Sequence, residues 1–119
     1  MATAADVAVA VVAGLHVWFM ILEMVLWTTP LGQRTFRRTA AEQLATRAIA
    51  LNQGLYNGFL AAGLGWSLVA TPALATPLAC FFLGCVFVAG VVGAATAARA
   101  ILWAQAVPGA VALALTLAA

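Results

Sequence analysis

An all-α integral membrane four-helix bundle is the fold class this sequence predicts, and three observations predict it. Of its 119 residues 66% are hydrophobic and 7% are charged, and the mean hydropathy is +1.13, outside the range of soluble globular domains. Four apolar stretches, at about residues 7–28, 48–70, 78–96 and 100–117, account for nearly all of the chain. Each is long enough to span or nearly span an apolar layer of about 30 Å at about 1.5 Å of helical rise per residue. A connection at about 29–47 carries most of the charge, so residues 1–119 are expected to form a single four-span domain with no length left for a second.

The first stretch lacks the basic flank of a secretory signal and carries His16 and Glu23, so it is expected to be a retained span. Thr28-Thr29-Pro30 closes it, because proline disfavours helical geometry in the residue before it. Thr39 followed by Glu42 fits a capping box, which starts the second helix near Ala40, in the cytosol. Thr71 to Pro77 has two prolines and no charge, as an external turn would. Between Thr96 and Ala100 no glycine or proline marks a turn. An unbroken helix over 78–117 would nevertheless be about 60 Å long with Arg99 in its middle, so a tight reversal is the cheaper solution. Gly54 with Gly58, and Gly84, Gly90, Gly93 and Ala94, allow the close backbone approach that drives helix association in lipid.

Arg34, Arg37, Arg38 and Arg47 lie between spans one and two, and Arg99 lies between spans three and four. With four spans those connections share a side. The positive-inside rule puts that side in the cytoplasm and both termini outside, in a multi-pass protein of the inner membrane. Trp27, Trp66 and Trp103 fall near span ends as interfacial anchors, whereas Trp18 lies deep in span one. Arg34, Arg37 and Arg38 read as topology determinants that touch lipid headgroups. A net charge of +2 is too small for a nucleic-acid footprint. Cys80 and Cys85, five residues apart on one helix, diverge and read as apolar fillers; neither a metal nor another cofactor is expected.

Glu23 is the only charged side chain inside an apolar run, where a carboxylate costs roughly 2.5–3.5 kcal/mol on insertion scales and by default marks a site. His16, Met20, Glu23 and Trp27 are spaced four, three and four apart, on one helix face. Asn52, Gln53, Tyr56 and Asn57 fall in the cytoplasmic half of span two, and Gln105 lies at similar depth in span four. Unpaired amides in hydrocarbon cost several kcal/mol, so these groups are expected to converge on a pocket near the cytoplasmic side. Amides, phenols and imidazoles also act as plain interhelical glue, typically worth about 0.6 kcal/mol each. Glue does not require a carboxyl group, which can carry a proton; Glu23 is therefore read as functional. His16 and Glu23 lie about 10 Å apart along the helix, too far to share one metal ion.

The segments that include His16 and LEMVLWTTPLGQRTF, then NQGLYNGFLAAGL from Asn52 to Leu64, FFLGCVFVAGVVGAAT from Phe81 to Thr96, and Gln105 to Pro108 resemble a family of small bacterial membrane proteins known as domain of unknown function 1304. The resemblance covers nearly the whole chain. It implies a four-helix membrane fold and a bacterial source, and carries no activity or catalytic residue with it.

Three functions fit these residues. The first is an intramembrane acid/base catalyst, an isomerase or cyclase for a lipophilic small molecule. Glu23 would transfer the proton, assisted by His16; Trp18, Trp27, Asn52, Gln53, Tyr56, Asn57 and Gln105 would bind substrate. The second is a proton-coupled exporter of small hydrophobic compounds, disfavoured because five arginines on one side fix a single orientation where antiparallel dimers need balanced charge. The third is a non-catalytic lipid-binding or assembly subunit. Expected partners are the bilayer, a lipophilic small molecule and, as an open option, a second copy of the chain in a homodimer.

Overall fold

A computed structural model describes residues 2–119, and all regular structure among them is helical. Six α-helices follow one another: α1 Ala4–Met24, α2 Pro30–Phe36, α3 Ala40–Ala45, α4 Arg47–Val69, α5 Pro72–Thr96 and α6 Val107–Ala118, with a π-helical segment Leu102–Ala106 leading into α6. The 21 residues of α1 and the 25 of α5 are long and apolar enough to cross a membrane. With 23 residues α4 has the length, but its mean hydropathy is diluted by Asn52, Gln53, Tyr56 and Asn57. The apolar helix Leu102–Ala118 is shorter.

The chain divides into two compact units. One comprises the N-terminal segment up to Gly14 together with Leu60–Ala119; the other is Leu15–Phe59.

In the first unit α1 opens on a reciprocal cap, Thr3 and Asp6 each accepting the other's backbone N–H through the side chain. Val9, Val12, Leu64, Ala79, Leu83, Val86 and Ala112 form one buried cluster, with Phe82 and Leu113 against it. The proline-rich segment 71–77, expected as a turn, is helical from Pro72 onward. Pro72 occupies the first helical turn, where a missing N–H leaves no bond unmade, and Pro77 is absorbed five residues later. The expected reversal is present: α5 ends at Thr96, and the chain turns at 97–99. Gly93 sits against Ile101, Gly90 against Ala106, and Gly109 against Val86, a register that runs in opposite directions along the two strands of a helical hairpin. The π segment has a local cause. Pro108 has no N–H and its ring crowds the carbonyl four residues back, and a wider turn relieves that crowding, Val107 bonding to the Leu102 carbonyl.

In the second unit α1 ends at Met24, earlier than the span expected to run to 28, and residues 25–29 form turns. Thr29 caps α2, accepting from the Gly32 N–H with Pro30 in the first turn, and Arg37 closes it in the left-handed region at φ 54°. The connection expected at 29–47 therefore contains two short helices. The Thr39–Glu42 capping box forms with both of its halves. The helix it starts does not continue into the next one: it breaks at Thr46, and α4 begins at Arg47.

Candidate functional site

Within Leu15–Phe59 the polar chemistry gathers where α1 ends and α4 begins. On α4, Ala50, Gly54 and Ala61 are buried while Asn57 and Gly58 are half-buried, spacings that mark one helix face. A Cβ on Gly54 would lie 2.5 Å from Met24 Cγ and 3.1 Å from Glu23 Cβ, and one on Gly58 would lie 2.8 Å from the Met20 sulfur. The two glycines are thus the hollows that receive the methionines of α1. This close approach lets the short Asn57 side chain reach Glu23: its Nδ2 donates a hydrogen bond to Glu23 Oε1.

Beside this pair opens a recess of about 70 Å³, lined by Glu23, Met24, Val25, Trp27, Thr28, Arg47 and Leu51. Its polar residues are Glu23, Thr28 and Arg47, the last of them exposed at the start of α4. Val25 and Leu51, 69% and 49% exposed, supply an apolar lip. The volume is several-fold below the roughly 300–1,000 Å³ of sites that enclose a drug-sized ligand, so it admits a polar head and no more.

Trp27 is held from two sides. Its indole Nε1 donates to the Gln43 carbonyl at 2.9 Å and to Thr46 Oγ1 at 3.1 Å, while Gln43 Nε2 donates back to the Trp27 carbonyl at 2.9 Å. Its ring packs on Phe36 with centroids 4.7 Å apart. This clasp accounts for both helix breaks: α1 stops so that Trp27 can turn onto the α3 end, and the Thr46 hydroxyl accepts from Trp27 Nε1 and donates to the Glu42 carbonyl. Gln43 is fully buried, and its Oε1 is the one buried side-chain atom without a partner among the described residues.

The residues singled out from the sequence are distributed as follows. Glu23, Asn57 and Trp27 come together around the recess and the bond beside it. His16 is fully buried, its ring edge-on to Phe19 at 5.2 Å between centroids. Trp18 and Tyr56 are 44% and 52% exposed, and Asn52 and Gln53 are also exposed, so these four do not join Glu23 in the recess. Trp18 is turned away from Glu23 on α1, and on α4 Gly54, Asn57 and Gly58 take the inner face, which leaves Asn52 and Tyr56 turned away and Gln53, four residues before Asn57, at its exposed edge. Gln105 lies half-buried on the π segment, in the other unit. Arg47 and Thr28 were not among the sequence candidates. Arg47 counted only toward orientation, although its spacing of four and seven to Leu51 and Gly54 puts it on the face that meets α1.

No curated protein and no solved structure matches this chain. A family model described as protein of unknown function, DUF1304, matches residues 10–117; with nearly its whole length inside that match, the chain belongs to that family.

Proposed function

We propose that this chain is a four-span inner-membrane protein, with both termini outside the cytoplasm, that performs acid/base chemistry on one end of a lipophilic small molecule. Glu23 is the group that takes and returns the proton. The observation that carries the reading is the carboxyl of Glu23, oriented by the Asn57 amide, at the wall of a recess whose lip is apolar. A recess of about 70 Å³ suits a substrate that inserts only its reacting end while its tail lies along Val25 and Leu51 in the acyl-chain layer. The chain's composition, two helices of spanning length and the five arginines confined to two connections support the placement in a membrane.

Asn57 fixes one carboxylate oxygen and so leaves the other for the substrate, the arrangement a general base needs. His16 does not line the recess and lies about 10 Å from Glu23 along α1, so its place is in support of the helix rather than at the reacting atoms. Trp27, tied by three hydrogen bonds, keeps the recess wall in place. The exposed Trp18, Asn52, Gln53 and Tyr56 are available to a substrate tail or to a second copy of the chain.

The reading is tested by incubating vesicles of the purified protein with lipid extract in deuterium oxide. The wild type is expected to place carbon-bound deuterium in at least one lipophilic species, and Glu23→Gln to abolish it while retaining the helical circular-dichroism spectrum. Identical labelling by the two proteins would remove Glu23 from any proton-transfer role.

A further inference from the structure

We infer that Arg47 is the recess's anchor for a carbonyl oxygen, and that the substrate class is a lipophilic ketone or enone whose reacting carbon lies next to that carbonyl. The inference rests on the acid/base reading of Glu23 and adds the partner that such chemistry requires. Removing a proton from carbon leaves an electron pair that must be accommodated. Nothing about Glu23 or Asn57 accommodates it, since a carboxylate repels developing negative charge and the Asn57 amide is already given to Glu23.

Of the residues lining the recess, two carry side chains able to donate to a developing oxyanion. The Arg47 guanidinium offers several N–H groups and a permanent charge, and the Thr28 hydroxyl offers one more. The third donor in the wall, the Trp27 indole, is consumed by Gln43 and Thr46. With one acidic and one basic residue in its lining, the recess suits a neutral polar head better than a phosphate or an ammonium group. Its volume, about 70 Å³, suits a carbonyl with its neighbouring carbons and excludes a phosphoglycerol headgroup.

The step balances without a co-reactant. Glu23 takes the proton from the carbon next to the carbonyl. The C–H electron pair moves into the C–C bond, and the C=O π pair moves onto oxygen, where Arg47 holds the enolate. The Glu23 carboxylic acid swaps its proton with solvent and protonates the same carbon in simple exchange, or it delivers its proton to the far end of a neighbouring double bond in an isomerisation. Nothing is oxidised or reduced.

The test uses methyl nonyl ketone in vesicles with the full-length protein in deuterium oxide, deuterium at the carbons flanking the carbonyl being followed by mass spectrometry. Wild type is expected to exchange above the vesicle blank. Arg47→Gln should slow exchange by roughly 10²–10³-fold, the usual loss for one oxyanion donor. Arg47→Lys, which keeps the charge but loses the fork geometry, should fall between. Arg34, Arg37 and Arg38 remain to hold the orientation, and circular dichroism checks the fold. Exchange at the wild-type rate by Arg47→Gln, with Glu23→Gln inactive, would overturn the role of Arg47 and leave the Glu23 reading standing. No exchange by wild type, with the lipid-extract labelling still dependent on Glu23, would overturn the carbonyl class alone. Exchange that neither substitution affects would overturn both.

Discussion

The Asn57 amide donates to the Glu23 carboxyl across 34 residues of sequence, and this bond ties α1 to α4 at the level where Gly54 and Gly58 let the two helices approach. It is a pairwise interaction, so it should appear as a coupling. In a double-mutant cycle of Glu23→Ala and Asn57→Ala, the interaction energy is expected to lie between about 0.6 and 1.7 kcal/mol, the mean and maximum for interhelical hydrogen bonds measured in this way. Unfolding midpoints in mild detergent with increasing dodecyl sulfate would measure it. Strict additivity would mean that the bond contributes nothing to stability.

Trp27 should act as a clasp more than as a hydrophobic anchor. Trp27→Phe keeps the ring against Phe36 but removes the donor to the Gln43 carbonyl and Thr46, leaving that part-buried carbonyl only the long bond from Thr46 Oγ1, at a cost of about 0.5–1.5 kcal/mol. The loss is local to α3 and its flanks, so trypsin should cut faster after Arg37 and Arg38 while α1 and α4 keep their helicity. An unchanged rate of cleavage would show that ring packing alone secures the segment.

Two glycines of α5 should respond to alanine with opposite sign. A Cβ at Gly90 would lie 2.7 Å from Ala106 Cα, a backbone atom that cannot step aside, so Gly90→Ala should destabilise the hairpin by about 1–3 kcal/mol. At Gly84 nothing lies within 4 Å of the added Cβ, and Gly84→Ala should stabilise by about 0.5–1 kcal/mol through helix propensity alone. Thermal unfolding in detergent separates the two, and equal effects would contradict the close packing of α5 on the π segment.

The capping box makes α3 sensitive to acid. The Thr39 backbone N–H, then the Thr39 side chain, hold the Glu42 carboxyl below its ordinary value of 4.5, with a smaller contribution from the Arg38 charge. A carboxyl lowered on folding stabilises the helix above its unfolded value, and that stabilisation fades as pH falls through the folded one. Amide exchange at Gln43–Ala45 should therefore quicken, relative to the chemical rate, as pH drops below 4.5, and Glu42→Gln should flatten that dependence. A pH-independent protection factor would show that the box is not formed in solution.

The helical class, the apolar runs, the capping box at Thr39, the reversal near Arg99 and the singular position of Glu23 were all legible in the sequence. Each is governed by composition, by period or by a contact within four residues. Membership of the DUF1304 family was legible for the same reason, as it resides in contiguous segments. Tertiary structure decided the rest. Which of Asn52, Gln53, Tyr56 and Asn57 meets Glu23 depends on the rotation of α4 about its axis, and that rotation is set by the methionines of α1 seating in Gly54 and Gly58. Likewise the early end of α1 and the break at Thr46 follow from a clasp between Trp27 and Gln43, 16 residues apart. Arg47 lines the recess only because that clasp brings the start of α4 beside the end of α1. Local rules assign each helix its length and its ends; only packing between helices decides which faces meet, and a polar site is made of faces.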